Sequence, residues 1–110
     1  MPDKYTYIKN LIEQLPEIPP DSIVSRTYYE DKNTKAILFG FAPGQELSEH
    51  TASRSAILHF VTGEAQVSLG KDVYEVKPGA WVHMPPNLSH SIKAKTKLVM
   101  ILLLLPVISP

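Results

Sequence analysis

Apolar residues recur with two different periods along this chain, and the change of period divides it. Ile8, Leu11, Ile12 and Leu15 follow i, i+3, i+4, i+7 spacing, the stripe of an amphipathic helix. Pro16, Pro19 and Pro20 come next, and proline stops a helix because it lacks the N–H and its ring meets the preceding turn. The spacing predicts a short helix over residues 5–15, within an N-terminal arm of residues 1–21. From Ser22 the period shortens. Short β-prone runs cover 22–30, 34–42, 55–62, 64–69, 72–76, 81–84, 89–94 and 97–105. Turn formers separate them: Asp31-Lys32-Asn33, Pro43-Gly44, Gly63, Gly70-Lys71, Pro78-Gly79 and Pro85-Pro86-Asn87. Many short strands at this spacing predict an all-β sandwich or barrel filling residues 22–110. The lack of a second helical stretch argues against a helix-turn-helix reader and a βαβ fold.

Leu98 to Leu105 is apolar at consecutive positions rather than alternating. A strand of that kind has both faces covered. One face is expected to meet the barrel core, and the other the N-terminal arm or a second subunit. Phe39, Phe41, Phe60 and Trp81 are expected in the core, and Glu46 and Glu49 in a solvated turn.

Composition narrows the function classes. The chain has 110 residues, 44% hydrophobic and 20% charged, which suits one globular domain. Lys+Arg and Asp+Glu balance at 11 each, without the concentrated positive face that phosphates demand, so nucleic acid is not an expected partner. A chain this short buries only roughly 60–70% of its unfolded surface, and zero net charge removes the repulsion between copies. Both favour a homodimer. The absence of cysteine excludes disulfides, thiolate chemistry and cysteine-ligated zinc. The N-terminus has no basic start followed by an apolar core, and the longest apolar run is far short of the ~20 residues of a membrane helix. A cytoplasmic protein without membrane contact is the expectation.

Candidate chemistry gathers around the histidines. Gly44 is followed after five residues by His50, and Ala56 after six residues by Gly63. Further on, Gly79, Pro85 and His90 stand at intervals of five and four intervening residues. In these two frames, between about Ser22 and Leu105, the chain resembles the cupin superfamily, specifically its small RmlC-like, conserved-barrel members. That resemblance implies a double-stranded β-helix, or jelly-roll barrel, with a metal site inside. The complete family site uses three histidines and a carboxylate to hold iron, manganese, nickel or zinc. Here His50 and His90 occupy matched positions. Ala52 stands for the second histidine, Ala56 for the glutamate, Asn87 for a glycine and Ala94 for the last asparagine.

Two imidazoles alone hold a divalent ion weakly, because catalytic sites usually supply three or more protein ligands. His59 and His83 are the candidates to complete the set. If Ala56 points inward, alternation carries Leu58 and Phe60 inward and His59 outward; the prolines near His83 leave its direction open. The resemblance therefore implies a partial metal site or a small-ligand pocket. The competing reading is a metal-dependent enzyme, dioxygenase- or isomerase-like, whose site other groups complete. A metal-free epimerase would need a carboxylate beside an inward histidine, and none sits at a matched position.

Overall fold

The computed structural model describes residues 5–107 and, within them, every side chain but those of Glu49 and His50. Nine strands follow in order: β1 (Ile23–Glu30), β2 (Lys35–Phe41), β3 (Glu46–His50), β4 (Ala56–Thr62), β5 (Ala65–Leu69), β6 (Asp72–Val76), β7 (Trp81–Met84), β8 (His90–Ala94) and β9 (Leu98–Leu104). They form a five-stranded sheet of order β1-β2-β9-β4-β7 and a four-stranded sheet of order β3-β8-β5-β6. The pairs β2–β9, β3–β8, β4–β7 and β5–β6 are all antiparallel and nested one inside the next. The chain is thus one long hairpin, folded back at β5–β6 and rolled up so that successive pairs fall in alternate sheets. This winding is the double-stranded β-helix.

Eight of the strands lie where the hydrophobic pattern predicts them, within a residue at each end. β3 is the addition. Glu46-Leu47-Ser48-Glu49-His50 has one apolar side chain and little intrinsic β preference, so it reads as turn in isolation. Pairing with β8 makes it a strand, with Leu47 opposite Ile92 and His50 opposite His90.

Alternation then sets the core. Ala56, Leu58 and Phe60 of β4 point inward and are almost completely buried. Their partners on β9, namely Leu104, Leu102 and Met100, share that face. From the smaller sheet, Ala65 and Val67 of β5 and Ile92 and Ala94 of β8 close the core from the other side. Burying each large side chain contributes on the order of 1.5–3 kcal/mol.

The outer face of the large sheet is apolar too, which is why β9 does not alternate. Ala36 and Leu38 of β2 point outward and are buried, and Gly40 continues their row. A Cβ at Gly40 would stand 2.8 Å from both Leu15 Cδ2 and Ile18 Cγ1, so the arm lies directly on the strand there. The arm does this without the expected helix: residues 5–15 hold a single 3-10 turn, Ile12–Gln14. Eleven residues ending before Pro16 are too few to sustain a helix alone, since isolated helices below ~12–15 residues are marginal. Anchoring Leu15 and Ile18 together on Gly40 instead draws the chain out around the prolines.

Trp81 also departs from expectation. It is 60% exposed, because it pairs with His59 on the outward phase of β4 and β7.

Candidate functional site

Both sequence frames owe their spacing to backbone geometry. Gly44, Gly63 and Gly79 all have positive φ, and so does Asn87, at 67°. Asparagine is the side-chain-bearing residue that tolerates this left-handed region best, so it keeps the turn that the family builds with glycine. At Gly63 a Cβ would collide with the Lys97 carbonyl and lie 2.9 Å from Leu98 Cα, so any side chain there would force the backbone to shift. The two frames are then brought together. β3 pairs with β8 so that His50 lies directly opposite His90, and the Asn87 N–H donates to the Ala52 carbonyl at 2.7 Å. The β3–β4 loop is fixed at its far end by Arg54, whose guanidinium donates to the carbonyls of Leu105 at 2.7 Å and Asn33 at 2.6 Å.

His90 is the buried polar side chain of the described core, 5% exposed. Its Nδ1 lies 3.0 Å from the Leu88 carbonyl. A carbonyl oxygen only accepts, so Nδ1 carries the proton. In the neutral ring the lone pair is then on Nε2, the orientation in which a histidine accepts a hydrogen bond or ligates a metal. Its cross-strand neighbour Leu69 and the buried Ile92 two residues on share the same inward face.

The other sequence candidates fall differently. His50 is placed opposite His90 by its backbone, and its side chain lies outside the described residues. His59 is exposed on the outer face of β4, as alternation predicts. His83 is exposed as well, opposite the outward Ile57. Neither lines the barrel beside His90, because both stand on the opposite phase from Ala56. The described residues include no group of three or more His, Cys, Asp or Glu able to hold a metal ion. Ala56 is buried and Ala52 half-buried, and a methyl group donates no electron pair. The described donor set therefore falls short of the family's metal.

A second feature was not legible in the sequence. Between the edge strands β6 and β7 opens a cleft of about 570 Å³; one of its lining residues, Leu69, is the cross-strand neighbour of His90. Val67, Leu69 and Val82 form its floor, and Tyr74, Trp81 and Lys77 its rim. Glu75, also on the rim, pairs with Lys95 at 2.7 Å. That ammonium hydrogen bond, with help from Gln66, holds the Glu75 carboxyl below the usual carboxylate range. Finding this site from sequence would require knowing that β6 and β7 are the two sheet edges.

Nested antiparallel pairs around a buried core, with two glycine-framed turns meeting at His50 and His90, define a small single-barrel protein of the double-stranded β-helix class. The family model of the cupin domain matches residues 37–106, and the chain belongs to the cupin family. Among solved structures it is similar to a cupin superfamily protein of Desulfitobacterium hafniense, with 20% identity over 97% of this chain and 95% of that one and a TM-score of 0.82. It is equally similar to an RmlC-like cupin of Desulfovibrio desulfuricans, with 24% identity, 94% and 100% coverage and a TM-score of 0.82. A protein of unknown function from Streptococcus pyogenes matches at 21% identity over 97% and 93%, again with a TM-score of 0.82. Likeness at these identities speaks for the fold. No curated protein matches the chain significantly. No helix among the described residues is long and apolar enough to cross a membrane.

Proposed function

We propose that this chain is a ligand-binding cupin that holds a small molecule inside the barrel through His90, and that the His50–His90 pair takes up a divalent ion only weakly. The observation that carries this reading is His90 itself. His90 is buried on the inward face of β8 among apolar side chains, with its Nδ1 3.0 Å from the Leu88 carbonyl. Small-molecule sites are typically apolar with a few oriented polar groups, and the inward face around His90 has that composition. The alanines at 52 and 56 support binding over metal chemistry, since they remove ligands and leave room.

The alternative is a metal-dependent enzyme, and one experiment separates the two. Wild type and an Ala52→His, Ala56→Glu variant are titrated with nickel or manganese while the melting temperature is followed. Wild type should shift little. The variant should be less stable without metal, because it buries polar groups, and should regain stability as metal is added. A wild type that already binds one ion tightly per chain would overturn the proposal and favour the enzyme. A variant that gains nothing would place positions 52 and 56 away from His90.

The homodimer belongs to the same proposal. Ile57, Ile101 and Leu103 are half-buried on the outer face of the large sheet. Light scattering at micromolar concentration should return about twice the 12.3 kDa chain mass.

A further inference from the structure

We propose that the cleft between β6 and β7 is a second binding site, separate from His90, for a small carboxylate with an aromatic or alkyl body, and that Lys77 receives the carboxylate. Three observations meet there.

The first is size and lining. A volume of about 570 Å³ lies within the ≈ 300–1,000 Å³ range of small-molecule sites. Its floor includes Val67, fully buried, and the inward Leu69 and Val82, so an apolar body entering it is removed from water on one side.

The second is the pair of aromatic rings at the lip. Tyr74 is 52% and Trp81 60% exposed, although both are large side chains that folding would normally cover. Within the described chain nothing covers them. Each offers a flat apolar face next to a polar handle, the combination that favours contact with a planar ligand.

The third is charge. Glu75 is already neutralised by Lys95, whereas the Lys77 ammonium has no hydrogen bond or ion pair among the described residues. The rim therefore carries one uncompensated positive charge beside an apolar floor. A neutral apolar ligand would leave that charge unused, and a cationic one would be repelled by it. An anion with an apolar body satisfies both.

Trp81 is the single tryptophan of the chain, so its fluorescence reports on this cleft directly. The probe is 3-phenylpropanoate, with 3-phenylpropanamide as the uncharged control. Titrating the acid should shift Trp81 emission to shorter wavelength with saturation, and the amide should bind more weakly. Lys77→Gln, an exposed substitution that leaves the core alone, should weaken the acid roughly three- to tenfold, the range of a partly desolvated charged hydrogen bond, and leave the amide unchanged. Tyr74→Ala should weaken both. The Ala52→His, Ala56→Glu variant, altered at residues that do not line the cleft, should titrate with the acid like wild type. Equal binding of acid and amide, or no saturable change, would overturn the proposal. So would a response altered in the position 52 and 56 variant but not in Lys77→Gln, which would put the ligand at His90. Emission that follows protein concentration and ignores the carboxylate would assign the cleft to a second copy of the chain.

Discussion

The two sheets of this barrel are built on different plans. In the five-stranded sheet, β1, β2, β4 and β9 run seven or eight residues, and both faces of β2 and β9 are apolar. In the four-stranded sheet every strand has five residues, and the outer face carries Glu46, Gln66, Glu75 and Lys93 in water. Its outward polar contacts are of modest worth, such as the Ser68–Ser91 hydroxyl pair and the Lys95–Glu75 ion pair. The large sheet is sandwiched between the core and the arm, so it supplies most of the buried area. The small sheet contributes one buried face and, on it, His90. Stability and chemistry are thus divided between the sheets. The wall that carries the polar group is the thinner one, and the thicker wall holds the barrel together around it.

That division can be tested at several magnitudes. Phe60→Ala empties a fully buried site on the large sheet and should cost about 3–5 kcal/mol, while the equally buried Ile92→Ala on the small sheet should cost about 2–5 kcal/mol and the lesser of the two. Urea unfolding measures both, and an Ile92 variant losing more than the Phe60 variant would break the comparison.

Glycines with positive φ give the next scale. Gly63→Ala must bear both the left-handed backbone and a collision with Lys97, and should reach or pass the top of the ~1–3 kcal/mol range for backbone strain. Gly79, at φ 96°, has open space around a Cβ, so Gly79→Ala should sit near the bottom of that range. Melting temperatures that rank the other way would mean conformation, and not close approach, dominates at Gly63.

Arg54→Ala removes the donors that tie the β3–β4 loop to the end of β9, and thermal unfolding should show a loss of about 1–2 kcal/mol. Lysine at the same position should recover only part of it, because a point charge cannot span two carbonyls.

The smallest effect is electrostatic. In the β1–β2 turn the Tyr29 hydroxyl donates to Asp31 at 2.7 Å, and the Asn33 and Thr34 N–H groups also donate to this carboxylate. Tyr29 first, then the backbone donors, hold the Asp31 carboxyl low; Lys95 does the same for Glu75. A carboxyl whose folded pKa lies below its unfolded one stabilises the fold above the unfolded value, and that contribution is lost as pH falls through the folded value. Melting temperature should therefore decline on the acid side, less steeply in Asp31→Asn and Glu75→Gln. Added salt should flatten the Glu75 contribution more, because an exposed ion pair is screened. An Asp31 contribution that salt flattens more than the Glu75 one would reverse the expected order.

Much of this was legible along the chain, because strands and turns are local. Period-two alternation, the Pro and Gly punctuation and the unbroken run from Leu98 placed eight strands, and alternation from Ala56 correctly turned His59 away from the core. The two motif frames were legible for a physical reason: Gly63 and Asn87 are fixed by backbone conformation, which a sequence records as residue type. Pairing across the chain decided the rest. β3 is a strand because β8 lies beside it, and Trp81 is exposed because its register with His59 sets its phase. His83 faces outward because Ile57 lies opposite it, and the arm packs Leu15 and Ile18 over Gly40 in an extended form because its few residues before Pro16 cannot hold a helix alone. Spacing along the chain names the residues of a site, but only the rolled hairpin decides which of them share a face.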